Sequence, residues 1–322
     1  YDQIVSDLES AITELKAASS IKRKSIYRVD AISAELLLSR VYLYMQNWEK
    51  AAEYAQKVID AHPDLDNLNT DKGAFALAEN PETLFSMGGD DLPNWIDFAA
   101  QSLRVSGSMY NSFVDNDLRK TRWIYTLGSF HGITKQPAKS NESPVRPQTD
   151  PYYYYSNYTN RGIQRAISSM FWLRSGEAYM NLAEAEAYLG DEQAAREAVN
   201  KIRKNRFVTN AKDWEITSTG NQLISDIRNE RKHEFICEGH RWFDLRRYRV
   251  CSVQPEKISI KHTFTLYVDD NSYIPTETRQ YILTEDDPSW TVPIPQEVIE
   301  FNTGMPNNGN QPRSYTVVAT PN

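Results

Sequence analysis

Cysteine is nearly absent: only Cys237 and Cys251 carry thiols in a chain of 322 residues. Two cysteines make no disulfide framework. On a continuous helix the step from 237 to 251 would span about 21 Å, whereas a disulfide needs Cα atoms within about 7 Å. Both thiols are expected to be free. Long apolar runs are missing too. No stretch reaches the roughly 18 apolar residues of a spanning helix, and the most apolar one, 31–45, is interrupted by Glu35 and Arg40. Positive charge is in deficit. A formal net charge of -7 argues against nucleic acid as the main partner. The chain has no Gly-rich phosphate loop, no His-Glu-x-x-His and no Ser-His-Asp signature. It opens on Tyr1 rather than Met and runs directly into an amphipathic helix. A mature or truncated start is expected, and a missing leader is no argument for the cytoplasm.

What is present is an ordinary soluble composition, 40% hydrophobic and 25% charged, with an excess of tyrosine, 19 residues. Ile4, Val5, Leu8, Ala11, Ile12 and Leu15 share one face of a helix over 2–17. A helical hairpin is expected over 30–62. Ala31, Ala34, Leu38, Val41 and Tyr42 line its first arm, and Trp48, Ala51, Ala52, Ala55 and Val58 its second, with Pro63 closing it. Leu38, Tyr42, Ala51 and Pro63 resemble a tetratricopeptide unit, though a generic hairpin predicts nearly the same structure. A second hairpin is expected over 172–206, turning at Gly190–Asp191. Between them, 64–165 lacks helical periodicity and is rich in Asn, Asp, Gly, Pro and Tyr. A loop-rich insertion of that length is functional or disordered, and its aromatic content argues against plain disorder. The stretch 261–268 alternates as one arm of a small hairpin. The segment from Trp290 to about 312 is expected to pack back on the domain, with 313–322 peripheral.

Residues 223–249 interleave charge with large apolar groups, including Ile224, Ile227, Phe235, Trp242, Phe243 and Leu245. This reads as a half-buried helix or helix pair, with a kink or break at Gly239. Glu238–Arg241, Arg241–Asp244 and Asp244–Arg247 fall at i,i+3. Glu177, Glu184 and Glu186 on the second hairpin are the expected partners of its arginines, over buried Trp242 and Phe243. His233, Cys237 and His240 share a helical face, the spacing of a zinc site, but a break at Gly239 spoils it. No metal and no cofactor is expected. Acidic residues are abundant, yet none stands in a motif that singles it out as a glycosidase carboxylate, and no catalytic residue is assigned.

The string at 229–248, NERKHEFICEGHRWFDLRRY, closely resembles the C-terminal signature of the SusD/RagB family, outer-membrane nutrient-binding lipoproteins of Bacteroidetes. The matching positions are Glu230, Arg231, Glu234, Glu238, Gly239, His240, Arg241, Trp242, Phe243, Asp244, Leu245, Arg246 and Arg247. Cys237 departs from an aromatic residue common there. YDQIVSDLESAI, the 30–62 hairpin, PETLF, NDLRK, LRSGEAYMNLAEAEAYLGD and VPIPQEVIEFN resemble further family stretches in the same order. The family's N-terminal part (signal peptide, lipidated cysteine and first repeat) has no counterpart.

The resemblance implies one mostly α, SusD-like domain over 1–322. Its parts are tetratricopeptide-like hairpins at 30–62 and 172–206, the insertion at 64–165, the signature helices at 222–249, and a packed segment at 250–322 with a little β. It implies a cell-surface protein on the extracellular face of the outer membrane, held only by an N-terminal lipid that this chain lacks. Such a protein binds oligosaccharide or polysaccharide without catalysis and delivers it to a SusC-like TonB-dependent transporter. A sugar's C–H face stacks on aromatic rings while its hydroxyls seek amide, carboxylate or guanidinium partners. The candidate ligand residues are therefore Asn94, Trp95, Asp97, Tyr110, Arg122, Trp123, Tyr152, Tyr153, Tyr154, Tyr155 and Asn157, with burial in the core as the competing role for the tryptophans. Glu177, Glu184, Arg231, Glu234, Glu238, Arg241, Trp242 and Asp244 are assigned to structure. A helical-repeat scaffold for a protein or peptide partner is the alternative, and an α-helical hydrolase a further one.

Overall fold

The structure, a computed structural model, describes residues 1–18, 25–70, 75–76, 80–87, 104–128, 130–133, 135, 172–268, 274–307 and 313–319. They fall into two compact units, Tyr1–Arg241 and Trp242–Asn322.

The first unit is built from helical hairpins. Helix α1 (Asp2–Ala17) packs on α2 (Ala31–Tyr44), which pairs with α3 (Trp48–Ala61). Asp30 caps α2 by accepting from the Ser33 N–H at 2.9 Å. The turn into α3 places Gln46 at φ 59, and Asn47 accepts from the Lys50 N–H at 3.1 Å. The second hairpin repeats this plan. Helix α6 (Ser175–Leu189) ends on Gly190 at φ 90, and Asp191 caps α7 (Glu192–Arg206) through the Ala194 N–H at 2.9 Å. Alanines 51, 52 and 55 on α3 and 178, 183 and 185 on α6 are buried. Their small side chains let these two packed helices approach closely.

Between the hairpins lie β1 (Thr83–Ser86), α4 (Gly107–Asn111), α5 (Arg119–Arg122), β2 (Ile124–Leu127), β3 (Phe130–Ile133) and β4 (Trp172–Arg174). Strand β1 pairs antiparallel with β4 around a bulge, and β2 with β3. The β1–β4 pair seals the hairpins: Leu84, Phe85 and Leu173 cluster with Leu36, Val58 and Ala178. A second core gathers Leu68, Phe75, Val105, Phe113, Trp123, Ile133 and Trp172. Helix α8 (Gly220–Glu234) contacts α6 and α7. The expected break follows, with Gly239 at φ 79, before α9 (His240–Tyr248). Cys237 in that break also adopts φ 59. Both cysteines are free thiols, as expected.

The second unit carries a three-stranded antiparallel sheet of β5 (Ile260–Tyr267), β6 (Pro275–Leu283) and β7 (Tyr315–Ala319). The hairpin expected at 261–268 is β5–β6. Residues 315–319 form an edge strand that the sequence reading missed, with all five residues exposed. Trp290 is buried, stacks on Trp242 at 5.1 Å and donates to the Thr284 carbonyl at 2.8 Å. Beyond it the expected packing fails. Helix α10 (Gln296–Phe301) buries no residue, and Phe301 is 89% exposed. Among the described residues no helix is long and apolar enough to cross a membrane.

Candidate functional site

The site region rests on a buried charge network. Glu234, at the last turn of α8, receives Arg174 at 2.8 Å, Arg206 at 2.9 and 3.1 Å, and Arg119 at 3.0 Å. Glu82 bridges Arg174 and Arg206 from the far side, at 2.7 and 2.5 Å. Glu238, in the break, accepts Arg174 at 2.9 and 3.0 Å and pairs with Lys135. Asp117 holds Arg119 by a two-pronged contact at 2.9 and 2.7 Å. Glu230 lies 2.6 Å from Arg119 without the alignment of a hydrogen bond, and pairs with Arg203. Charges this deep persist only when paired.

Aromatic rings wall the network. Lys135 Nζ sits 3.9 Å from the centre of Trp123, and Arg174 lies 4.8 Å from that of Phe235. Burial pushes the Glu234 carboxyl up, but Arg206, Arg174 and Arg119 outweigh it and hold the group well below its ordinary range. Burial lowers Lys135 to about 8 against the pull of Glu238. A Cβ at Gly176 would come within 2.2 Å of the Arg174 guanidinium and 2.6 Å of the Glu82 carboxylate, so a larger residue there must displace two side chains that the network holds.

The network fixes the described part of the insertion. Lys135, two residues past β3, donates to the Glu234 carbonyl at 2.6 Å. The Val105 N–H donates to the His131 carbonyl at 2.9 Å, which ties the chain entering α4 to β3. Ser106 caps α4 by accepting from the Met109 N–H at 3.2 Å. In this frame the half-exposed Tyr110 ring stacks on His131, centres 3.9 Å apart and planes 13° off parallel. His131 Nδ1 is 3.0 Å from the Thr126 hydroxyl, its cross-strand partner. Lys120 Nζ stands 5.3 Å from the Tyr110 ring and 2.6 Å from Asp115. The arrangement offers a ring with one face covered by the imidazole and its other face left for a ligand, with the Thr126 hydroxyl and the Lys120 ammonium close by. It can stack a pyranose face and hydrogen-bond the hydroxyls around it.

Of the candidate ligand residues, Tyr110 is in this constellation and Arg122 is half-buried on α5. Trp123 is not a platform. It is 1% exposed, wedged between Phe75 at 4.7 Å and the Lys135 ammonium. It follows directly on α5, and that turn points it into the core. Asn94, Trp95, Asp97, Tyr152, Tyr153, Tyr154, Tyr155 and Asn157 lie outside the described residues. Sequence reasoning missed Thr126, His131 and Lys120. Their only signal was polar residues interleaved with aromatics in KTRWIYTLGSFHG.

The residues assigned to structure are placed unevenly. Glu234 and Glu238 are in the network, but Glu177 pairs with Arg40 of α2, at 2.5 and 2.6 Å, rather than with a signature arginine. Glu184 takes the Tyr188 hydroxyl at 2.7 Å and lies 4.0 Å from Arg231. Asp244 holds Arg247 at 2.9 Å. Arg241 is half-buried and shows no ion pair among the described residues, because Glu238 is taken by Arg174 and Lys135. Trp242 is half-buried, and Phe243, expected to be buried, is 48% exposed. The histidines have other partners than a metal. His233 Nε2 lies 2.8 Å from the Ser112 hydroxyl and its ring stacks on Phe113, while His240 stacks on Phe235. Among the described residues no group of three His, Cys, Asp or Glu is placed to hold a metal ion.

Comparison with known proteins agrees with this architecture. SusD-like proteins P2 and P25 of Formosa agariphila are 23% and 21% identical over 78% and 77% of this chain. The chain spans about half the length of these curated relatives, 56% and 54%. A SusD superfamily protein of Bacteroides vulgatus superposes with a TM-score of 0.63 at 19% identity, over 97% of this chain and 65% of that one. Surface glycan-binding protein A of Bacteroides uniformis superposes with a TM-score of 0.61 at 17% identity, over 95% and 68%. These two likenesses are of fold. The model of the SusD family matches residues 88–311, well over half of the sequence and including the whole charge network except Glu82, and on that match the chain belongs to the SusD family.

Proposed function

We propose that residues 1–322 act as one SusD-like domain of a cell-surface glycan-binding protein. It captures oligosaccharide without turning it over and passes it to a SusC-like TonB-dependent transporter. The protein is held at the extracellular face of the outer membrane by a lipid on a segment outside this chain. The observation that carries the reading is the half-exposed Tyr110–His131 stack, set on a rigid charged scaffold in a chain of this family. Asn94, Trp95, Asp97, Arg122, the tyrosines at 152–155 and Asn157 are proposed to complete the ligand face. Trp123 has no part in that face because its ring is buried.

The test is calorimetry against an oligosaccharide panel. Tyr110→Ala should weaken binding about five- to tenfold, the worth of one aromatic contact, with an unchanged melting temperature. Unaltered binding by that variant, or release of reducing sugar by the pure protein, would sink the reading.

A further inference from the structure

The exposed sheet of the second unit has two unlike faces. Cross-strand register places Phe264 opposite Arg279, and Tyr281 opposite Tyr315, on one face. Residues directly opposite in a ladder share a face, so Gln280 and its partner Thr316 are on the other. On that side lies a recess of about 400 Å³ bounded by Gln280, Thr316, Ser314, Ser289 and the Asp287–Arg313 pair. Ile282, Pro288 and the Tyr315 ring also border it.

The pair is held in place before any ligand arrives. Arg313 Nη1 donates to the Ile282 carbonyl at 2.6 Å and to Asp287 at 3.0 Å, and Nη2 donates to the other Asp287 oxygen at 3.3 Å. Asp287 is itself positioned by the Ser289 N–H at 2.8 Å. Three of the five guanidinium hydrogens are thereby engaged. Nε and one Nη2 hydrogen have no contact among the described residues.

We propose that this recess is a second ligand site, specific for a neutral saccharide. The proposal rests on the reading of the chain as glycan-binding and adds a site to it. The charge of Arg313 is already answered by Asp287, so an added anion would gain little there and would face the carboxylate. A neutral polyol meets no such opposition. Its hydroxyls can accept the unengaged guanidinium hydrogens, while Gln280, Ser314 and Thr316 supply donors and acceptors in either sense. Tyr315 is the single aromatic ring among the residues that border the recess, and polar side chains make up most of the rest, so recognition here rests chiefly on hydrogen bonds. Pre-set geometry lowers the ordering cost of binding.

The test uses the full chain with maltotriose, cellotriose, mannotriose and trigalacturonate, followed by ligand-observed NMR and calorimetry. Four proteins are compared: wild type, Tyr110→Ala, Arg313→Met, and the double variant Gln280→Ala/Thr316→Val. A neutral trisaccharide is expected to show two binding events in wild type, of which Tyr110→Ala weakens the one at Tyr110 and leaves the one at this recess. The affinity should fall about tenfold in the double variant and in Arg313→Met, as lost hydrogen bonds require, with melting temperatures unchanged. Binding that the double variant retains and Tyr110→Ala abolishes overturns this inference and leaves the Tyr110 site standing. A tenfold preference for trigalacturonate at the recess overturns its neutral specificity. Failure of every saccharide to bind any of the four proteins removes both this site and the glycan-binding reading.

Discussion

Glu234 is the residue on which the most charge converges: three guanidiniums meet one carboxylate that is fully buried. Glu234→Gln keeps the shape and removes the charge, leaving Arg119, Arg174 and Arg206 short of a counter-ion. Stranding buried charge costs about 3–5 kcal/mol, so this variant should lose most of its soluble yield or show a urea midpoint lowered accordingly. Arg241→Ala, by contrast, should cost under about 1 kcal/mol, within the range of substitutions that touch no special feature. Equal losses in the two would contradict the network described above. This ranking reverses what local spacing suggests. Glu238 and Arg241 sit at i,i+3, which made Arg241 the natural partner. The actual partners of Glu234 and Glu238 are 28 to 115 residues away in sequence. No periodicity connects them. The acids were legible because they stand in a recognisable string, whereas Lys135 and Arg206 were not, because only the tertiary fold gathers them. Trp123 illustrates the same limit, since a tryptophan beside an arginine reads alike on a platform or in a core.

At the scale of elements, the two hairpin turns form a natural comparison. Gln46 and Gly190 both adopt left-handed φ, and Asn47 and Asp191 follow as helix caps. A side chain in that region costs about 1 kcal/mol or more, and glycine avoids the cost. Gly190→Ala should therefore destabilise by about 1 kcal/mol. Gln46→Gly should stabilise by somewhat less, after its extra unfolded-chain entropy is subtracted. Chemical denaturation of both variants checks this, and a destabilised Gln46→Gly would show that the Gln46 side chain holds the turn. These hairpins, and the break at Gly239, were readable because period and punctuation are local properties. The edge strand at 315–319 was not readable. All its residues are exposed, so it carries no alternation of apolar and polar, and its place is set by pairing with β6 alone. The tail after Trp290 misled for the opposite reason. Val292, Val298 and Phe301 look like core residues, yet they are 62%, 40% and 89% exposed.

For the whole molecule, the buried ionisable groups set an asymmetric response to acid. Burial lowers His233 from its ordinary 6.5 to about 3, and burial together with nearby Arg40 and Arg231 takes His240 well below it. Both are neutral in the folded protein. Below pH 6.5 the unfolded chain takes up protons that the folded chain refuses, so stability is full above 6.5 and falls as the pH drops. The slope is about 1.4 kcal/mol per pH unit for each histidine. Glu230, lowered to about 2 against its burial by Arg119 and Arg203, and Glu234 add to the loss below their ordinary 4.5. Lys135 acts at the other end. Its lowered value means that the folded state releases the proton first, so its contribution rises between about 8 and 10.5. Urea midpoints at pH 5, 6, 7 and 8 should be nearly level from 8 to 7 and drop steeply from 6 to 5. A flat series down to pH 5 would show that the two histidines are protonated in the fold.

The order in which a ribosome releases this chain meets the order in which the network needs its members. Among the described residues, the fully buried cations at 119, 135, 174 and 206 all precede the three acids at 230, 234 and 238, and only Glu82 and Asp117 are there to answer them earlier. A nascent chain ending before residue 230 would have to bury four positive charges against two negative ones. Folding from the N-terminus during synthesis should therefore pause at this point until the signature string emerges, with the interior of the first unit closing only when its last helix arrives.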